Sequence, residues 1–292
     1  MAARARLSVV TEEKMAIYFD EEKKIFYLES GCVSYVMQIS QFGFLTQLYY
    51  GKRIPREDVS YVEKLYDRGS EAVVFGAPSR RYSPNVITSE YPSYGKGDFR
   101  ECAFIPRGAD GARVFEGKVK GFEILQEKPT IPGMPSLYGG GETLVVTLED
   151  EISKVQVDLY YSVYDELDTI ARRAVIKNNA DTPLVLDRAY SFSLDLPAGS
   201  YKVITQYGAH MRERTPEVTP LMHGIMSVDS KRGATSLHSS CFMALAAKDA
   251  DEESGDVYGF NLIYSGSFRL TAEQSPYDMV RVLGGINDFD FS

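Results

Sequence analysis

Residues 153–165 read SKVQVDLYYSVYD. Val155, Val157, Leu159, Tyr161 and Val163 occupy every second position, and Gln156, Asp158, Tyr160 and Ser162 fill the places between. Successive side chains of an extended strand point to opposite faces, so this alternation predicts a half-buried β-strand. An amphipathic helix would repeat its apolar residues every three or four positions instead. After the turn DELD, the run TIARRAVIKN (169–178) reads as the returning arm of a hairpin.

The same signature recurs outward in both directions. Strand-like runs include AIYFD, KIFYLES, CVSYVMQIS and LTQLYYG before this hairpin, with ARVFEGKVKGFEILQ and TLVVTLED nearer to it. Beyond it come LVLDRAYSFSLDL, YKVITQYG, GIMSVDS, CFMALAAK, VYGFNLIYSG, FRLTAEQ and MVRVLGG. More than a dozen short strands divided by turn residues predict an all-β, mostly antiparallel sandwich or barrel, not alternating βαβ units. One segment, PREDVSYVEKLYD (55–67), predicts a short helix, with Val59, Val62 and Leu65 at helical spacing and acids in the first turn. The Gly/Pro-rich PTIPGMPSLYGGGE (129–142) lies between strands and reads as a long loop within one domain.

Composition narrows the function. Of the 292 residues, 44% are hydrophobic and 25% charged, the balance of a soluble globular chain. The 32 Lys and Arg against 41 Asp and Glu leave a net charge of −9, which argues against a nucleic-acid surface. No apolar run approaches bilayer-spanning length, so no membrane partner is expected. The start, MAARARLSVVTEEK, lacks the apolar stretch of a secretory signal, and three scattered cysteines make no disulfide framework. A cytoplasmic location is the expectation. Tyrosine is abundant at 20 residues with 15 Phe and no Trp, which suits sheet faces and sugar-facing clefts alike.

Catalytic motifs are sparse. His210, His223 and His238 have no metal-ligand spacing, and no nucleophile elbow, P-loop or dinucleotide fingerprint is present, so no metal and no cofactor are expected. YGGGET (138–143) precedes a strand and opens no helix, which argues against a phosphate cradle. Asp288 and Asp290 would share one strand face, but a pair at a chain end cannot hold a catalytic geometry. HMRERTPE (210–217) and VDSKRGATS (228–236) concentrate charge beside turn signals, and read as solvated loops or as donors to an acidic or hydroxyl-rich ligand. EYPSYGKGDFR (90–100) sets Asp98 and Arg100 among rigid aromatics where glycine and proline forbid regular sheet. It is either a binding loop or a turn whose aromatics cap the core.

Taken in order, several stretches resemble the N-terminal region of bacterial α-galactosidases of glycoside hydrolase family 36. They are GCVSYVMQISQFGFLTQLYYGKRI, EYPSYGKGDFRECAF, LPAGSYKVITQYGAHMRER, DSKRGATS, GDVYGFNLIYSGSF and RVLGGINDFDFS. The resemblance implies a β-supersandwich of the galactose-mutarotase type over residues 15–292, preceded by an extension over 1–14. In the family this domain stands before a (β/α)-barrel that carries both catalytic aspartates. The chain would therefore stop before its last strand and that barrel, with no residue serving as nucleophile or general acid and an unpaired sheet edge inviting association.

The resemblance further implies a homo-oligomer, tetrameric in relatives, acting on α-galactoside oligosaccharides of the melibiose or raffinose type. A loop of this domain would reach a neighbouring subunit's sugar pocket through Asp67 and Arg80, with Arg81 an equal claimant for the second role. EYPSYGKGDFR would then be a clamp, Asp98 and Arg100 holding each other with Tyr91 and Tyr94 packed beneath. LHSSC (237–241) departs from the family pattern. The competing expectation is a stand-alone β-sandwich that binds galactosides, or only assembles, without hydrolysis.

Overall fold

The computed structural model describes residues 16–63, 73–235 and 237–288. Its strands begin with Ile17–Asp20 (β1), Ile25–Ser30 (β2), Val33–Ile39 (β3) and Leu45–Lys52 (β4). Next come Phe104–Arg107 (β5), Lys118–Leu125 (β6), Thr143–Glu149 (β7), Val155–Tyr164 (β8) and Thr169–Asn178 (β9). Val185–Leu196 (β10), Tyr201–Ala209 (β11), Arg212–Pro220 (β12) and Gly224–Ser230 (β13) follow. Ser239–Ala247 (β14), Val257–Asn261 (β15), Phe268–Gln274 (β16) and Val280–Ile286 (β17) complete the set.

These strands form four sheets, ordered β1-β2-β3-β4, β6-β7-β8-β9, β12-β11-β14-β15 and β13-β16-β17-β10-β5. Every ladder between them is antiparallel. The chain is thus all-β, as its alternation predicts. Two sheets are simple meanders of consecutive hairpins. The five-stranded sheet instead joins β10 to β5 on one side and to β17 on the other, pairing segments far apart in sequence.

The predicted helix is not formed over its described residues, 55–63. Among the described residues of 55–67 only Ser60–Val62 makes a single 3-10 turn, and no side chain caps its start. One turn suffices to lay buried Val59 against Ile25, Tyr27, Val36 and Leu48 in a small second core, and without a cap the orphan N–H groups of a longer helix have no partner.

Two strands escape the alternation rule. β12 was expected as the charged loop HMRERTPE, and all but one of its residues are exposed, so no buried face marks it. β5 contains Pro106, which removes a ladder donor. Both lie at sheet edges, where proline and polar faces are tolerated. In β8 the alternation holds, yet the polar face is covered as well: Asp158 and Ser162 are buried. Thr143 and Ser162 share a hydroxyl hydrogen bond of 2.8 Å, and Asp158 accepts from Thr147 Oγ1 at 2.9 Å.

One contiguous core cluster draws on all four sheets, including Phe26, Phe104, Tyr161, Met243 and Phe268. The 129–142 stretch joins β6 to β7 without strand or helix. The longer connection from β4 to β5 carries EYPSYGKGDFR. Its residues 88–90 lie along the start of β4, where Gln47 donates its backbone N–H to Thr88 and Glu90 donates to Leu45.

Candidate functional site

Asp98 and Arg100 sit over one face of the five-stranded sheet. In that sheet Asp195 on β10, Arg281 on β17 and Glu273 on β16 stand directly opposite one another across neighbouring strands. Arg281 donates through Nε and Nη2 to the two carboxylate oxygens of Asp195 at 2.7 and 2.8 Å, and through Nη1 to Asp98 Oδ2 at 2.7 Å. Arg100 grips Asp98 with Nε and Nη2, both at 2.8 Å, and also donates to the carbonyls of Pro84 and Ile87. Glu273 accepts the backbone N–H of Glu101 at 2.5 Å. The loop is bolted to the sheet by three side chains from three strands.

The ions of this cluster are nearly dry: Arg281 is 1% exposed. Burial alone would raise the Asp98 carboxyl, but the Arg281 and Arg100 guanidiniums outweigh it and hold it below the usual carboxylate range. Burial would lower Arg281, and Asp195 with Asp98 reverses that and holds it charged.

A second buried node holds the start of the stretch. Glu90 accepts from Tyr35 at 2.5 Å, from Tyr161 at 2.7 Å and from Arg172 Nη2 at 2.7 Å. Arg172 also donates to the Ser193 carbonyl and lies 4.7 Å from the Tyr161 ring centroid. Strands β3, β8 and β9 therefore meet at one carboxylate, and Arg172 ties the node to β10. Burial, reinforced by Glu90, pushes the Tyr161 phenol well above its ordinary value.

On its outer side the loop walls a cleft of about 370 Å³. Tyr91, Phe115 and Phe44 supply aromatic walls, with Phe75 at one lip. Lys96 and Glu116 form an ion pair of 3.0 Å among the lining residues, both partly exposed. Gly95 has a φ of 90°, which other residues resist, and a Cβ there would also fall 2.9 Å from Val114 Cγ2. The turn of the loop is therefore specified by glycine.

The site residues named from sequence are placed unevenly. Asp98 and Arg100 grip each other, and Tyr91 is buried separately, donating to the Tyr190 carbonyl at 2.9 Å. Tyr94 does not pack beneath them. It is 53% exposed, because its backbone N–H is tied to the Phe104 carbonyl just where the chain turns at Gly95. Arg80 and Arg81 are exposed in a turn and neither lines the cleft. Asp67 and Asp290 lie outside the described residues. Asp288 pairs with Arg188 at 2.7 Å. Among the described residues no cluster of His, Cys, Asp and Glu could hold a metal ion, and no helix is long and apolar enough to cross a membrane.

Sequence reasoning missed Arg281, Asp195, Glu90 and Arg172. Their signal was present for two of them: Asp195 in SFSLDL and Arg281 in MVRVLGG are charges inside otherwise apolar strands, and such charges must find partners when buried.

The Glycosyl hydrolase family 36 N-terminal domain profile matches residues 43–292. The chain belongs to this family. It is 36% identical to α-galactosidase AgaA of Geobacillus stearothermophilus over 95% of its own length and 38% of that protein. It is 35% identical to the bifunctional α-galactosidase/sucrose kinase AgaSK of Mediterraneibacter gnavus, over 95% of this chain and 30% of AgaSK. The solved galactosidase domain of AgaSK superposes with a TM-score of 0.90 at 34% identity, covering 94% of this chain and 38% of that one. The α-galactosidase AgaB of Geobacillus stearothermophilus gives 0.88 at 37% identity, covering 94% of this chain and 38% of AgaB. The family 36 chain described here thus spans 30–38% of the length of these relatives.

Proposed function

We propose that the chain acts as the non-catalytic N-terminal domain of a retaining α-galactosidase that removes terminal α-galactosyl groups from raffinose-type oligosaccharides in the cytoplasm. The observation that carries this reading is the family match over residues 43–292 combined with TM-scores of 0.88 and 0.90. AgaA variants crystallised with raffinose and stachyose support that substrate class. The four sheets packed on one core are consistent with a β-supersandwich, residues 15–292 forming that domain after a short N-terminal extension.

Its role in the enzyme is to scaffold a homo-oligomer, a tetramer, and to present a loop bearing Asp67 and Arg80 to a neighbouring subunit's sugar pocket. A carboxylate accepts from sugar hydroxyls, and a guanidinium donates two fixed hydrogen bonds. The doubly bolted Asp98–Arg100 stretch supports this role, because it anchors the chain that leads away from that loop.

The test is hydrolysis of a nitrophenyl α-galactoside. The 292-residue chain alone is expected to give no turnover, and the chain joined to the remaining segment of AgaA is expected to give it. In the joined enzyme, Arg80→Ala should raise KM by about tenfold, the cost of one charge-assisted hydrogen bond. Turnover by the chain alone would overturn the reading.

A further inference from the structure

We infer that Arg100 is a positioning residue for Arg80: it sets where that guanidinium stands without touching a sugar itself. The inference rests on the pocket role proposed above for the loop that carries Arg80. The described part of that loop is a turn closed on itself. Val74 donates its backbone N–H to the Tyr82 carbonyl at 2.9 Å, and Ala77 donates back to the Val74 carbonyl at 3.0 Å. Val74 is buried at this neck, and the Tyr82 ring meets Phe42 edge-on with centroids 5.1 Å apart. Arg80 stands exposed on the turn, just ahead of Tyr82. A closed turn moves as one piece, so its direction is set where the chain leaves it.

That exit is residues 83–87, and Arg100 holds it. Nη2 of Arg100 donates to the carbonyls of Pro84 and Ile87 at 3.1 and 2.8 Å. Next to it, Phe99 donates its backbone N–H to Asn85 Oδ1 at 3.1 Å. Behind these bonds Arg100 is fixed to the sheet, because the Asp98 it grips is also held by Arg281 at 2.7 Å. The chain is therefore continuous from β17 through Arg281, Asp98 and Arg100 to the root of the turn.

The orientation of the guanidinium separates positioning from plain stabilisation. Nη1 is buried and makes no hydrogen bond among the described residues, lying 3.7 Å from Asp195 Oδ2. A buried donor left unmade is costly. Rotating the head to satisfy Nη1 on Asp195 would draw Nη2 off the two carbonyls, so the observed pose favours the loop exit over the ion cluster. Lysine at this position would keep a charge beside Asp98. Its ammonium ends one bond short of Nη2 and cannot span Asp98 and both carbonyls together.

The test is steady-state hydrolysis of raffinose and a nitrophenyl α-galactoside by the chain joined to the remaining segment of AgaA. Arg100→Lys is expected to raise KM by about fivefold and to leave kcat within about twofold. Because Arg100 acts through Arg80, the double variant with Arg80→Ala should be no worse than Arg80→Ala alone. Val157→Ala, a cut in the buried core of β8, is the stability control and should lower Tm with KM unchanged. Where Arg100→Lys does not fold, Asn85→Ala cuts the neighbouring tie from a half-buried side chain, with about a twofold rise in KM and the same non-additivity expected. Additive effects of the two arginine substitutions overturn the inference, as does a KM that follows Tm equally in Val157→Ala. A fall in kcat at constant KM overturns it too. Arg80→Ala without effect in an active enzyme overturns the pocket role as well, whereas additivity leaves that role standing, so the two failures are told apart.

Discussion

Asp98 is the residue on which two arginines converge, and its removal separates a structural role from a ligand-binding one. Asp98→Asn leaves Arg281 and Arg100 sharing only Asp195, in a site where the charges are almost dry. Breaking a buried ion cluster in this way typically costs about 3–5 kcal/mol, so a fall of that size in unfolding free energy is expected by chemical denaturation. Sugar affinity of the joined enzyme, measured where the variant is still folded, should change less. The pH dependence has a definite sign. A carboxyl held below its unfolded value near about 3.9 contributes stability above that pH. The contribution is lost as pH falls through the lower folded value, and Asp98→Asn should flatten this acid limb. The sequence shows Asp98 and Arg100 as neighbours, and their mutual grip is a local event that spacing can suggest. Arg281, 183 positions away from Asp98, enters only through the pairing of β10 with β17, which no local pattern encodes.

Elements were legible in proportion to how sharply they divide a wet face from a dry one. β8 announces itself because five alternate positions are apolar, whereas β12 is exposed along nearly its whole length and keeps no such contrast. Its prolines explain why an exposed edge can be left open. Pro216 stands opposite Gln206 and Pro220 opposite Lys202 on β11. A proline nitrogen cannot donate inward, so positions 216, 218 and 220 turn their nitrogens to the free edge and only Val218 carries a hydrogen there. The edge is blunted against a further strand. Replacing both prolines with threonine should restore a row of donors and cause concentration-dependent association, read by light scattering against the parent chain. Unchanged scattering would count against this account. The glycine pair of β17 was legible as strand but not in its purpose. Gly284 and Gly285 face a register shift between Tyr190 and Phe192. A Cβ on Gly285 would lie 2.6 Å from Tyr190 Cα, so the two backbones approach here because Gly285 has no side chain.

Across the whole molecule, tyrosine does what tryptophan does in other cores, and it leaves an alkaline signature. Burial lifts the phenols of Tyr35, Tyr91, Tyr161 and Tyr190, and it pushes Tyr27 and Tyr258 up to about 12. Below the unfolded value of about 10 both states are protonated and nothing is lost. Above it only the unfolded chain releases protons, so stability should fall by about 1.4 kcal/mol per pH unit for each such phenol. Thermal melts from pH 8 to 12, followed by phenolate absorbance, should show unfolding and tyrosine ionisation together; early ionisation in a folded chain would contradict it. The topology that gathers these rings also imposes a schedule. Two meanders consist of neighbours in the chain and can close as soon as they leave the ribosome. One hydrogen-bonding edge of β10 must wait for β17, which begins at residue 280. Through that interval a nascent polypeptide carries an open row of main-chain donors and acceptors, the kind of surface that makes long-range β pairing slow and exposed to association.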